Sequence, residues 1–322
     1  MSSLLKPKYI IATPSYNPES GGIMTLHQLC HLLNEISEAY VFPMPRGAII
    51  NHLNLTHVEN VVKEEKFFSQ NFHTSPDLNT PLFSGNVELD KAVAIYPEIL
   101  FGNPFQFKNV ARWILFHSGF HRKIICTSHG EVEFKFHEDY RGSVIDGFSE
   151  ASDVLLQIFM PRKPEYQTLT NNVNKNYEDI HSNKKGTAYC VRKGKFYSHP
   201  LIKEDSICID GKNSDQIREI MKKVKYFVSF DPYTYYSAMA VVYGCYSLVL
   251  PSLDLSKKKI IEWKKRFKKE PWLAFSEDEL DRSWEKRFKL LEFFNASLQK
   301  SRQNVKDFDN FWTTRINNHK KV

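Results

Sequence analysis

Residues 8–35 read KYIIATPSYNPESGGIMTLHQLCHLLNE. The first six form a short run rich in β-formers that stops at Pro14-Ser-Tyr-Asn-Pro. From Glu19-Ser-Gly-Gly onward, Ile23, Leu26, Leu29, Cys30 and Leu33 recur at helical spacing through Glu35. A strand, a glycine turn and a helix in that order open an α/β fold. The theme continues along the chain. Residues 40–44 (YVFPM), 92–96 (AVAIY), 111–116 (ARWILF), 123–127 (KIICT) and 153–159 (DVLLQIF) read as further buried strands. Residues 46–89 are weakly patterned.

Between 163 and 185 the composition turns to Asn, Lys, Thr and Tyr with hardly an aliphatic residue, as in an exposed interdomain segment. Alternation then restarts: strand 187–191, basic turn Arg192-Lys-Gly-Lys, strand 206–209, helix 214–223, strand 226–230, a helix near 234–243 and strand 247–250. Short buried strands alternating with helices imply parallel sheets covered on both faces. The expected architecture is therefore α/β with two Rossmann-like domains facing a central cleft, the ligand lying at the carboxyl ends of the strands. The expected bounds are 1–165 for the first domain, 166–186 for a linker, 187–300 for the second domain, and 301–322 for a C-terminal helix packing back across both.

Composition narrows the class. Of 322 residues, 42% are apolar and 25% charged, and 24 Phe, 15 Tyr and 5 Trp are far too many for a disordered chain. A net charge of +7 favours anionic partners without separating nucleotides, nucleic acids and acidic membranes. The five cysteines form no CxxC pair and no Cys/His cluster at zinc spacing. With no secretion-type apolar segment at Met1, their odd number points to a reducing, cytoplasmic setting. No apolar run approaches the roughly 20 residues of a spanning helix. Residues 255–269 (LSKKKIIEWKKRFKK) carry eight Lys or Arg around Ile260, Ile261, Trp263 and Phe267, which leaves peripheral contact with an anionic membrane open. The basic residues otherwise gather in separate turns and helices outside any recognised nucleic-acid motif, so no nucleic-acid partner is expected.

Three segments carry candidate chemistry. Gly21-Gly22 sits where the first strand gives way to a helix, a place where backbone N–H groups receive an anion with no side chain in the way. Neither GxGxxG nor GxxxxGK[ST] is present, which removes the main support for dinucleotide-dehydrogenase and P-loop chemistry. Arg192, Lys193 and Lys195 surround Gly194 at the end of the second domain's first strand, three cations suited to a diphosphate. Asp231, Tyr233, Thr234 and Ser237 lie between a strand and a helix ending at Gly244. Asp231 or Thr234 would cap that helix, and the hydroxyls would meet an anionic or polyhydroxylated ligand.

Residues 228–251, VSFDPYTYYSAMAVVYGCYSLVLP, resemble the donor-binding strand–helix–strand of GT-B-type glycosyltransferases of the glycogen-synthase-like and α-mannosyltransferase-like group. There an acidic residue is followed eight positions later by Glu and five further on by Gly. Asp231 and Gly244 hold the outer places, and Met239, whose thioether accepts hydrogen bonds weakly, holds the middle one. Tyr96-Pro97-Glu98-Ile99, Gly102-Asn103-Pro104, Arg112-Trp113-Ile114-Leu115 and Gly119 are similar to the amino-terminal domain of bacterial and viral polysaccharide glycosyltransferases. The matches span about a third of the chain, and their order carries the weight.

The resemblance implies transfer of a sugar from a nucleotide-diphosphate sugar to a glycan, polysaccharide or glycolipid, without a metal or other cofactor. Arg192 and Lys193, with Lys195 assisting, would neutralise the departing diphosphate. Asp231, Tyr233, Thr234 and Ser237 would contact the sugar or the diphosphate, and Gly21-Gly22 would let the acceptor domain close over it. An inverting enzyme needs a base for the acceptor hydroxyl, for which Glu98 and His117 stand at strand ends; a retaining one does not. The alternative is a non-catalytic nucleotide- or sugar-binding module of the same fold, motivated by Met239.

Overall fold

A computed structural model describes residues 5–44, 72–83, 91–250 without 122, 124, 126, 193, 232 and 233, then 261, 265 and 268–318. The fold is α/β. The chain divides into two compact units, Met1–Met160 with Ser297–Val322, and Pro161–Ala296.

In the first unit, β1 (Lys8–Thr13), β2 (Glu38–Pro43), β3 (Ala92–Pro97), β4 (Asn109–Ile114), β5 (Val132–Lys135) and β6 (Glu150–Leu155) form one six-stranded sheet in the order β2-β1-β3-β4-β5-β6. Every pairing is parallel. Helix α1 (Gly21–Leu33) makes the crossover from β1 to β2. Strand alternation splits the apolar residues between two cores. Tyr9, Ile11, Val93, Ile95, Trp113 and Phe134 pack with Leu26 and Leu29 of α1, while Ile10, Ala12, Ala94, Tyr96 and Val110 pack with Phe42, Leu100 and Phe107. The first core is completed by Val305, Phe308, Trp312 and Ile316, spaced by three or four residues along the terminal helix. There the Tyr9 hydroxyl donates to Asp309 Oδ1 at 2.9 Å, and Ser37 Oγ donates to the same oxygen at 2.6 Å. Burial and this carboxylate together push the Tyr9 pKa well up.

In the second unit, α2 (Lys163–Asn172) and α3 (Tyr177–His181) precede β7 (Thr187–Cys190) and β8 (Ile207–Cys208). Helix α4 (Ser214–Lys223), β9 (Tyr226–Ser229), α5 (Tyr236–Val242) and β10 (Tyr246–Val249) follow. The sheet order is β10-β9-β7-β8, all parallel. After a 3-10 turn at Glu277–Glu279 come α6 (Leu280–Glu285) and the 31-residue α7 (Phe288–Asn318). Gly244 closes α5 with a φ of 78°, and a Cβ there would strike Ile180, so both conformation and space require glycine.

Four expectations are corrected. None of the described residues of 123–127 is in a strand: Lys123 adopts a left-handed φ of 54°, Ile125 is 50% exposed, and the sheet takes Val132–Lys135 instead. The segment 166–186 carries helices rather than an open linker. Pro164 at the first turn of α2 and Glu165 just inside it are a helix start, and Leu169, His181 and Lys184 are buried. The division between units falls after Met160. The terminal helix begins at Phe288, and residues from Ser297 onward count with the first unit. The basic segment 255–269 lies outside the described residues except for 261, 265, 268 and 269.

Candidate functional site

The residues singled out by sequence fall into two groups, each at the carboxyl edge of its own sheet, where parallel α/β sheets bind ligands. In the second unit, Arg192 follows β7 with a φ of 41°. Asp210, just beyond β8, fixes this turn by accepting from Val191 N at 2.9 Å and Arg192 N at 3.1 Å. Gly194 presses against the end of β9, where a Cβ would collide with the Phe230 carbonyl. The turn is held from both sides while the Arg192 side chain stays exposed, its guanidinium 4.8 Å from the centre of the Tyr236 ring.

Beside it, β9 runs into Asp231, which is buried; Ser229 Oγ donates to Asp231 O at 2.7 Å and receives Asp231 N at 3.2 Å. The α5 N-cap is Tyr235, with no side-chain cap, and Thr234 Oγ1 accepts only from Tyr236 N at 3.3 Å. The N-cap position is thus Tyr235 rather than Asp231 or Thr234, while Thr234 Oγ1 still receives the amide that opens the helix. Ser237 Oγ is buried with no partner among the described residues, and a buried hydroxyl in that state is costly. Arg192, Tyr236, Asp231 and Ser237 thus lie at the ends of β7 and β9 and the start of α5. Lys195 is exposed on the same turn; Lys193 and Tyr233 lie outside the described residues.

Met239 is wholly buried, with Arg162 Nη2 3.6 Å from its sulfur. Arg162 also lies 3.2 Å from Glu165, which Arg218 approaches at 3.6 Å. Glu165 is completely buried in this group, and it pushes the pKa values of Tyr235 and Tyr243 upward after burial itself. Sequence reading missed this ion network. Its one local signal is Arg162-x-x-Glu165, the i,i+3 spacing of a helix start.

In the first unit, α1 begins at Gly21 with its amino end uncapped by the Ser20 side chain. A Cβ on Gly21 would meet nothing within 4 Å, and one on Gly22 only Leu115 Cδ1 at 3.9 Å. Sterics of the turn therefore do not demand the pair. Nearby, His27 Nε2 bonds Pro14 O at 3.0 Å, and burial lowers its pKa.

Glu98 follows β3 and is 6% exposed. Its Oε2 accepts from Leu115 N at 3.1 Å, and burial lifts its pKa to about 7, against smaller opposing pulls from that amide and from Arg112. Arg112, fully buried on β4, fixes the turn that carries Glu98. It donates to Leu100 O at 2.5 Å, Gly102 O at 2.7 Å and Pro97 O at 3.3 Å, and pairs with Glu131 at 2.8 Å. Glu131 in turn accepts from Thr127 Oγ1, Ser128 N and Ser128 Oγ. Every guanidinium and carboxylate edge is engaged, as a buried pair requires.

His117 Nδ1 accepts the Arg141 amide N–H at 3.0 Å. Neutral His117 therefore carries its proton on Nε2 and presents a donor, not a basic nitrogen.

Among the described residues, no three His, Cys, Asp or Glu gather to hold a metal ion, and no helix is long and apolar enough to cross a membrane. No protein-family model matches the chain, and no curated protein matches it significantly.

Proposed function

We propose that the protein is a glycosyltransferase of GT-B type, transferring a sugar from a nucleotide-diphosphate sugar to a glycan, polysaccharide or glycolipid acceptor. The observation that carries it is the Arg192 turn: an exposed guanidinium stacked on Tyr236 beside buried Asp231 and Ser237, at the carboxyl edge of a parallel sheet. That combination suits a sugar diphosphate, with a planar cation for the phosphates and a carboxylate and hydroxyl for the sugar.

In the first unit Glu98 supplies the base. Near neutral pH its carboxyl is poised between protonated and ionised, the condition that general-base catalysis favours. The acceptor hydroxyl gives its proton to the Glu98 carboxylate as its oxygen bonds the anomeric carbon. The bond from that carbon to the diphosphate breaks, and the electron pair leaves with the nucleoside diphosphate. Attack on the face opposite the leaving group inverts the anomeric centre. Gly21 and Gly22 offer backbone amides to an anionic group of either substrate.

Thermal unfolding against UDP, GDP, CDP and dTDP tests donor binding. One of them raises the melting midpoint, and Arg192→Ala weakens it about 10- to 100-fold while leaving the matching nucleoside unaffected. No stabilisation by any nucleotide, or equal loss for nucleotide and nucleoside, would overturn the donor assignment. Glu98→Gln lowers transfer about 10²- to 10⁴-fold with nucleotide affinity intact. The buried Met239, in the place of a carboxylate, favours a second reading as a binding module. Nucleotide binding with no turnover of any donor sugar selects it.

A further inference from the structure

Large apolar side chains are exposed at few places among the described residues, and five of them (Phe120, Ile125, Val144, Ile145 and Phe148) lie in the loops beyond β4 and around β5. Phe120, at 62%, is the most exposed of the large apolar side chains among the described residues. It belongs to a connected set of rings. Phe116 meets His117 and Phe120 at 4.9 Å, Tyr140 at 5.3 Å and His121 at 6.0 Å, and Tyr140 also meets His117 at 5.2 Å and His137 at 5.4 Å.

The two loops that bring the rings together are tied to each other. Ser118 N donates to Arg141 O at 2.8 Å, the Arg141 guanidinium returns to Ser118 O at 2.7 and 3.2 Å, and Arg141 N holds His117 Nδ1. In the same turn Ser118 Oγ is buried with no partner among the described residues. Glu133 receives both Ser143 N and Ser143 Oγ and so anchors the far side of the second loop. The ring surface is thereby preformed, which reduces the ordering cost of binding.

We propose that this surface is a platform for a neutral saccharide, with His117 Nε2–H donating to a sugar hydroxyl. A pyranose has apolar C–H faces and a polar rim, so it needs aromatic faces interleaved with hydrogen-bonding groups. Phe116, Phe120 and Tyr140 interleaved with His117, His121 and His137 meet that need. The obvious competitor is a nucleic-acid base, whose stacking goes with a cationic groove; here the exposed carboxylates Glu138 and Asp139 immediately precede Tyr140. The platform also adjoins the candidate base: Leu115, whose amide bonds Glu98, immediately precedes Phe116. Naming its ligand as the acceptor rests on the transferase reading; saccharide binding itself does not.

The test uses the full chain with maltotriose and triacetylchitotriose as probes, observed by saturation-transfer NMR and by the imidazole signals of labelled histidines. At least one trisaccharide, at millimolar concentration, receives saturation on its C–H protons and shifts the His117 and His121 signals. Phe120→Ala weakens that binding about five-fold without moving the melting midpoint, because the side chain is exposed. Failure of both probes to shift these signals, or undiminished binding by Phe120→Ala, would overturn the platform, as would a stronger response to an oligothymidylate. Saccharide binding with no sugar transfer from any donor removes the transferase reading and leaves the platform standing. Transfer with an acceptor KM unchanged in Phe120→Ala does the reverse.

Discussion

The two sheets present their carboxyl edges in opposite ways. Behind β3 and β4, a carboxyl group is buried and the turn that carries it is clamped by a fully desolvated Arg112–Glu131 pair. Behind β7 and β9, a guanidinium is exposed, with a carboxylate at its backbone and a ring beneath it. Burial makes the first edge stiff and tunes acidity; exposure makes the second a counterion for something that arrives from solvent. Damage to the first should therefore register as lost stability and shifted titration, damage to the second as lost affinity.

The largest expected effect is at Arg112. Arg112→Met strands the Glu131 charge and removes donors from the Pro97, Leu100 and Gly102 carbonyls, so unfolding in urea should show a loss of about 3–5 kcal/mol. A loss under 1 kcal/mol would mean that water reaches the pair and that the contrast in stiffness is false.

Next comes the pH dependence contributed by Glu98. Its pKa rises from 4.5 to about 7 on folding, so between those values the folded protein retains a proton that the unfolded chain has released. Stability therefore falls as pH climbs through that window. Glu98→Gln, which keeps an acceptor for Leu115 N, should be the more stable form at pH 8 by up to about 3 kcal/mol, the gap closing by pH 4. Melting curves that run parallel across this range would contradict the buried acid.

The smallest effect sharpens the second edge. Tyr236→Leu removes the ring under Arg192 and should weaken nucleoside diphosphate two- to five-fold, about 0.5–1 kcal/mol, as read by calorimetric titration. A loss as large as that of Arg192→Ala would move the binding role from the cation to the ring.

How much of this was legible beforehand depended on whether the signal was local. The run KYIIAT is buried for five of its six residues and reads correctly as a strand. Residues 123–127 have similar composition, yet Ile125 stands in solvent among the loops, because parallel pairing with β4 was available to 132–135. In 163–185 the Asn- and Lys-rich composition concealed the helix-start chemistry of Pro164 and Glu165. At the candidate site, Glu98 and the turns at Arg192 and Asp231 could be placed because each immediately follows a legible strand. Arg112 could not. It read as one residue of an apolar strand, and its ion-pair partner stands 19 residues away. Asp210, 18 residues from the amide it holds, was equally silent. Tertiary partners of that kind leave no trace in periodicity.

The terminal helix has a further consequence for how the chain reaches this state in a cell. Tyr9 waits for Asp309, and Phe134 packs with Phe308 and Trp312, so the core of the first unit lacks one wall until residues 305–316 emerge from the ribosome. The second unit, Pro161–Ala296, is uninterrupted in sequence and has all its parts before then. A chain cut short after Ala296 would therefore leave an apolar sheet face bare for chaperones and proteases to recognise.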